Sequence, residues 1–244
     1  MNQVKHTLCL LLAVGLLASL ADAQVRRNSM EARQNQQAMS ANKAQLDRDE
    51  KELKEFTAKL TQFEMAFRTK NVAQVADLKK RLLLDMQREI QQSENKIAQD
   101  RREVSQSQSE KAASSRELNR SRYDRATPDR DKGDARDVRD DRRDKKGDRR
   151  DVADDRNDLS RQIARTNRQK EIYTKLQAFT FSFEPSVQEK AIAYKALLQE
   201  FSATMEKDIV ATKAEIQEDK VEALEDSRER REDKREVRER RRNW

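Results

Sequence analysis

One imidazole and one thiol are available to this chain, His6 and Cys9. Both lie in an N-terminal stretch that reads as a secretory signal. Lys5 precedes an apolar run from Leu8 to Leu20, and Ala21-Asp22-Ala23 follows as an A-x-A cleavage site. The run is too short to span a hydrocarbon core of about 30 Å. Cleavage near Ala23 removes both residues, so the exported chain has no disulfide, no thiolate or imidazole metal ligand, and no His-dependent nucleophile. Carboxylates are abundant, yet no pocket-building apolar segment surrounds any pair of them. Asp129, Asp131 and Asp134 flank Gly133 but lack the spacing and the closing Glu of a calcium loop. Gly133 and Gly147 stand in Asp-rich sequence, unlike a phosphate-cradling loop. The expectation is a chain that is not an enzyme, with no cofactor, no metal and no small-molecule substrate.

Side chains suited to binding are concentrated in three places. Two pentads hold five of the seven Phe: Phe63, Met65 and Phe67 fall in the first, and Phe179, Phe181 and Phe183 in the second. If exposed, they form an apolar patch for a partner or an unfolded client; if not, they are core where helices meet. The period-two alternation of the second pentad also fits a short strand. Arg238, Arg240, Arg241 and Arg242 crowd the C-terminus and could contact phosphates. Interleaved Glu weakens their field, and no set of aromatics for base stacking accompanies them.

Both pentads belong to a longer self-similarity. Glu55, Lys59, Leu60, Phe63 and Phe67 recur 116 positions later as Glu171, Lys175, Leu176, Phe179 and Phe183. After the loss of one residue the match continues, with Val72 on Val187 and Leu82-Leu83 on Leu197-Leu198. Each copy reads as helix, tight turn, helix. Leu46, Leu53, Phe56, Leu60, Phe63 and Phe67 follow 3–4 spacing, as do Val75, Leu78, Leu82, Met86, Ile90, Ser93 and Ile97. In the second copy Leu159, Ile163, Ile172, Leu176, Phe179 and Phe183 lead in. Val187, Ala191, Tyr194, Leu198, Phe201, Met205, Ile209, Thr212 and Ile216 lead out. Asn71 with Gln74, and Ser186 with Glu189, have capping-box spacing at the two turns. Pro185 disfavours helix at Glu184. These features predict an all-α fold of two tandem long antiparallel hairpins, as a coiled coil or an elongated four-helix rod, with charged and partly disordered flanks.

Charge fills the remainder. Asp, Glu, Lys and Arg make up 41% of the chain, about 25% being ordinary, and the formal net charge is +7. Segment 133–144 recurs as 147–158, a repeat of 14 residues in which Val138 and Val152 are the only large apolar side chains. Because Asp and Gly are poor helix formers, 127–158 reads as a linker, either a fragile charged helix or disordered. The SQSQS run at 105–109 reads as a fraying helix end. The domain reading is therefore a signal peptide over 1–23, a hairpin over 24–126, the linker over 127–158, a second hairpin over 159–224 and a charged helix or tail over 225–244. The expected function is structural: a periplasmic or extracellular scaffold acting by helix–helix association, with itself or another helical or envelope protein. The alternatives are an extracytoplasmic holdase-type chaperone using the Phe-rich bends, or a tail that binds an anionic polymer or lipid head groups. Export argues against genomic DNA as the partner.

Overall fold

The computed structural model describes residues 36–37, 39–126 and 134–242. The signal-like segment at 1–23 lies outside the described residues. Four long helices form among the described residues: α1 over 39–68, α2 Val72–Ala126, α3 Asp134–Ala178 and α4 Gln188–Arg242. No strand occurs among the described residues, so the Phe179–Phe183 alternation is irregular chain rather than β. No described helix is long and apolar enough to cross a membrane. At 1.5 Å per residue, the 55 residues of α2 extend about 80 Å. The helix runs unbroken through 105–109, where the SQSQS run predicts fraying. Helix α3 covers most of the predicted linker and passes through residues 158–159 without a break.

The described residues divide into two units, one within 52–208 and the other formed by those up to Lys51 with those from Ile209 on. Within 52–208 all neighbouring helices run antiparallel. Lys59 pairs with Asp85 at 2.5 Å and Gln92 donates to Glu52 at 3.2 Å, joining α1 to α2. Lys170 pairs with Glu94 at 2.6 Å, joining α3 to α2. Arg168 grips Glu200 through Nε and a terminal nitrogen at 2.6 and 2.8 Å, joining α3 to α4. Phe201 meets Phe56 with ring centroids 5.5 Å apart, and Gln199 donates to Glu64 at 2.7 Å, closing α4 onto α1. The result is an up-down-up-down four-helix arrangement.

Its apolar core follows the predicted stripes. Phe56, Leu60, Phe63 and Ala66 from α1 are buried with Val75, Leu78, Leu82 and Met86 from α2. Ile172 and Leu176 of α3, Phe181, and Ala191, Leu198, Phe201 and Met205 of α4 complete it. Fully burying each large side chain stabilises by about 1.5–3 kcal/mol.

The two bends differ. The first is three residues, Thr69 to Asn71, with Lys70 in the left-handed region at φ 53°. Asn71 caps α2 as its spacing predicts: the Gln74 N–H donates to Asn71 Oδ1 at 3.1 Å, and Asn71 Nδ2 donates to Gln74 Oε1 at 3.3 Å. The second connection takes nine residues, 179–187. There the helix begins one residue later than the Ser186 capping box implies. The Val187 carbonyl accepts from the Ala191 N–H at 2.9 Å, so Val187 holds the cap position. Helix α3 stops at Ala178, whereas α1 continues through the matching Phe63 and Phe67. Thr180, Ser182 and Pro185 supply the physical reason, since β-branched, hydroxyl and proline residues all disfavour helix here.

In the second unit, Lys213 pairs with Glu50 at 2.7 Å, and Asn42 donates to Asp219 at 3.1 Å. These contacts run α4 antiparallel to the start of α1.

Candidate functional site

Folding brings the two Phe pentads together. Phe63 meets Phe181 edge-on at 5.1 Å, and Phe67 lies 6.0 Å from Phe181 and 5.2 Å from Phe183. Phe179 packs edge-on to Phe181 at 5.0 Å and stacks on Tyr194 at 4.0 Å. Phe63 and Phe181 are buried; Phe67, Phe179 and Phe183 are half-buried against them. Edge-to-face ring pairs add about 0.5–1.5 kcal/mol each beyond their burial. Met65, on another face of α1, is 62% exposed and takes no place in the cluster. Met65 stands 116 residues before Phe181, like the other matched pairs, yet the two are not equivalent in space, because Phe181 has left the helix.

Lys79 secures this end, although nothing in its sequence context singles it out. Its Nζ donates to the Phe179 carbonyl and, at 3.3 Å, to the Gln177 carbonyl. A lysine on the carbonyls at the end of α3 satisfies groups the helix leaves unpaired and complements its dipole. Burial lowers the Lys79 pKa below the ordinary lysine value. Lys195 lies 5.9 Å from the centre of the Phe67 ring, within cation–π range.

Beyond Met86 the seam changes character. Glu89, Ser93, Lys96 and Asp100 occupy the buried face of α2, and Gln162, Thr166 and Gln169 that of α3. Ser93 donates to Gln169 Oε1 at 3.1 Å, and Gln169 Nε2 donates onward to Thr204 at 3.2 Å and Asp208 at 3.1 Å. Arg165 Nε donates to Asp208 at 2.6 Å. Burial pushes the Asp208 carboxyl above the usual range, while Arg165, Lys96 and Gln162 pull it back. Every polar atom of such a network must be satisfied, since the low dielectric penalises an orphan. Apolar spacing predicts Ile163 in this stripe; it is only half-buried, and Gln162 and Thr166 hold the buried positions.

Polar rungs continue from there along α2 and α3. Ser107 donates to Asp155, and Ser121 donates to Asp141. From Ser93–Gln169 to these two pairs, each step rises 14 residues on α2 and falls 14 on α3. The 14-residue repeat of the sequence is thus the repeat of this helix pair. Val138 and Val152 on α3, and Val104 and Leu118 on α2, are buried at the same interval. Fourteen residues in four turns is the 3.5 period of a left-handed supercoil. The rung between falls at Ser114 and Asp148. Here Ser114 donates to its own helix at the Glu110 carbonyl, 3.2 Å away, and Asp148 Oδ2 is buried without a hydrogen bond. Crowding of carboxylates has an electrostatic consequence. Desolvation first, then Asp141, Asp148 and Asp140, raises the Asp144 pKa to about 6, against a smaller opposing pull from Arg143. Asp155 is raised mainly by burial, against the Ser107 hydrogen bond.

Arg238, Arg240, Arg241 and Arg242 fall in the last turns of α4. Their side chains lie outside the described residues. Among the described residues, no group of three His, Cys, Asp or Glu side chains is placed to hold a metal ion. Comparison with protein-family models, curated proteins and solved structures finds no match to this chain.

Proposed function

We propose that this protein is a non-catalytic scaffold that acts outside the cytoplasm through helix–helix association. The observation that carries the reading is on α4. Val210, Val221 and Leu224 are 66%, 56% and 62% exposed and share one face of the helix. The opposite face of the same stretch is used internally, with Ile209, Thr212 and Ile216 buried. A helix with two apolar stripes has one more than the described residues cover. The rings of the Phe cluster support the same reading from the other side: they mainly pack on one another. A holdase role would draw on the half-buried edges of Phe67, Phe179 and Phe183 and on Met65. A polyanion role for Arg238, Arg240, Arg241 and Arg242 draws on sequence charge alone.

Light scattering across a dilution series tests the proposal. The expected result is a mass above the monomer that falls on dilution and on Leu224→Glu, with Met65→Ser having no effect. A monomer at every concentration overturns it. Suppression of client aggregation that is lost on Met65→Ser would favour the holdase instead. Phe181→Ser is unsuitable as a probe, because Phe181 is buried and the change would report on folding.

A further inference from the structure

The exposed face of α4 has a heptad pattern with its own charge code. Val210, Gln217 and Leu224 fall at d positions and Ala214 and Val221 at a positions, and all five are exposed. Lys213 and Lys220 then fall at g, and Glu218 and Glu225 at e; these four are exposed as well. We infer that this face pairs in parallel and in register with the same face of a second copy of the chain, which deepens the self-association reading and rests on it.

Charge complementarity decides the occupant and its direction. In a parallel pair each g residue meets the e residue five positions on in the partner helix. Lys213 of one copy then meets Glu218 of the other, and Lys220 meets Glu225, with both contacts repeated by symmetry. An antiparallel pair brings g to g and e to e, so Lys faces Lys and Glu faces Glu, which opposes binding. The seam favours the same answer. A β-branched residue at a and leucine at d, as in Val221 and Leu224, suit two parallel strands. Gln217 at the centre can bond its own counterpart and so fix the register. Lys213 is engaged with Glu50 in its own chain at 2.7 Å, and Lys220 donates to Gln217 at 3.3 Å. The Lys213–Glu50 partners are 53% and 48% exposed, and exchanging such a contact for another of the same sign is cheap. The seam ends where Arg228 and Arg231 take the next a and d positions. Two heptads make a small interface, so the pair is weak and reversible.

The test uses the full chain with Cys9→Ser, so that introduced cysteines are the only thiols. Leu224→Cys should cross-link to itself under mild oxidation, as a parallel register requires. A mixture of Val210→Cys and Leu224→Cys chains should give no 210–224 product. Lys220→Glu alone and Glu225→Lys alone should each weaken association about tenfold, and mixing the two should restore it as a heterodimer. Circular dichroism confirms that each variant keeps its helix. A 210–224 cross-link, or association that ignores both charge changes, overturns the parallel pairing while leaving the scaffold reading in place. A monomer throughout removes both.

Discussion

Helix α2 passes through two kinds of seam, and the contrast between them separates stability from register. From Val75 to Met86 its buried positions are apolar and meet Phe56, Phe63, Phe181 and Phe201. From Glu89 to Asp100 the same face is polar, and beyond it Ser107 and Ser121 reach across to Asp155 and Asp141. The aromatic end gains from area removed from water, which is large but tolerant of sliding. The rungs gain little in net energy, because each exchanges water for a protein partner. They penalise wrong pairings instead, since a slip of three residues would set the part-buried Asp155 and Asp141 against Val104 and Leu118. Division of labour of this kind explains how a chain with 5% aromatic residues can keep very long helices aligned.

Disturbing the aromatic end should have the largest effect. Phe63→Ala empties a fully buried position and is expected to cost about 3–5 kcal/mol in urea unfolding. The polar network comes next. Arg165→Ala takes the hydrogen-bonded guanidinium from buried Asp208, leaving Lys96 as a positive neighbour, and should cost about 3 kcal/mol, whereas Arg165→Met with Asp208→Leu should recover most of that loss. A double variant as unstable as the single one would show that the network does not act as a unit. Ser107→Ala deprives Asp155 of its donor and should cost about 1–2 kcal/mol.

Acidity offers the smallest and most selective probe. Asp144 binds its proton more readily in the folded chain, at about 6, than the ordinary value of 3.8 it has when unfolded. Between those values the folded state holds more protons, so stability rises as pH falls from about 7 toward 4. Asp155 and Asp208 are raised as well and act in the same direction. Glu171 opposes them at lower pH: Lys175 and then Arg168 hold it down at about 2, and the stability it adds above 4.5 is lost as pH drops below that value. A slightly higher melting temperature at pH 5 than at pH 7.5 is expected, with the gain reduced in Asp144→Asn. Asp144 is desolvated on one side only and keeps a solvent-facing side that screens its neighbours, so its share is small.

The apolar half of this architecture is legible in the sequence, and the polar half is not. Phe56, Leu60, Leu78 and Leu82 announce their helix faces by spacing alone, and Asn71 with Gln74 announces the first turn. Aromatic residues are rare enough here that their recurrence reveals the second bend too. Its conformation departs from the first, because Thr180, Ser182 and Pro185 stop α3 before Phe179 can join the helix. Gln162, Thr166 and Gln169 stay hidden because a search for periodic apolar residues passes over a buried amide or hydroxyl. The 14-residue repeat is visible, yet poor helix formers such as Gly147 and Asp148 make it resemble a linker. Its meaning depends on Ser107 and Ser121, which are inconspicuous until placed opposite Asp155 and Asp141, whereas Ser93 already stands in the periodic stripe of α2.

Register along α2 and α3 is the point on which the rest depends. Spin labels at the exposed positions Gln106 and Arg156, in a chain with Cys9→Ser, measure it directly by pulsed electron resonance. The rungs predict a single narrow distance for 106–156, shorter than that for 106–149, because a heptad displaces the second pair by about 10 Å along the axis. Broad distributions, or a 106–149 distance equal to or shorter than the first, would contradict a register fixed by the Ser and Asp rungs.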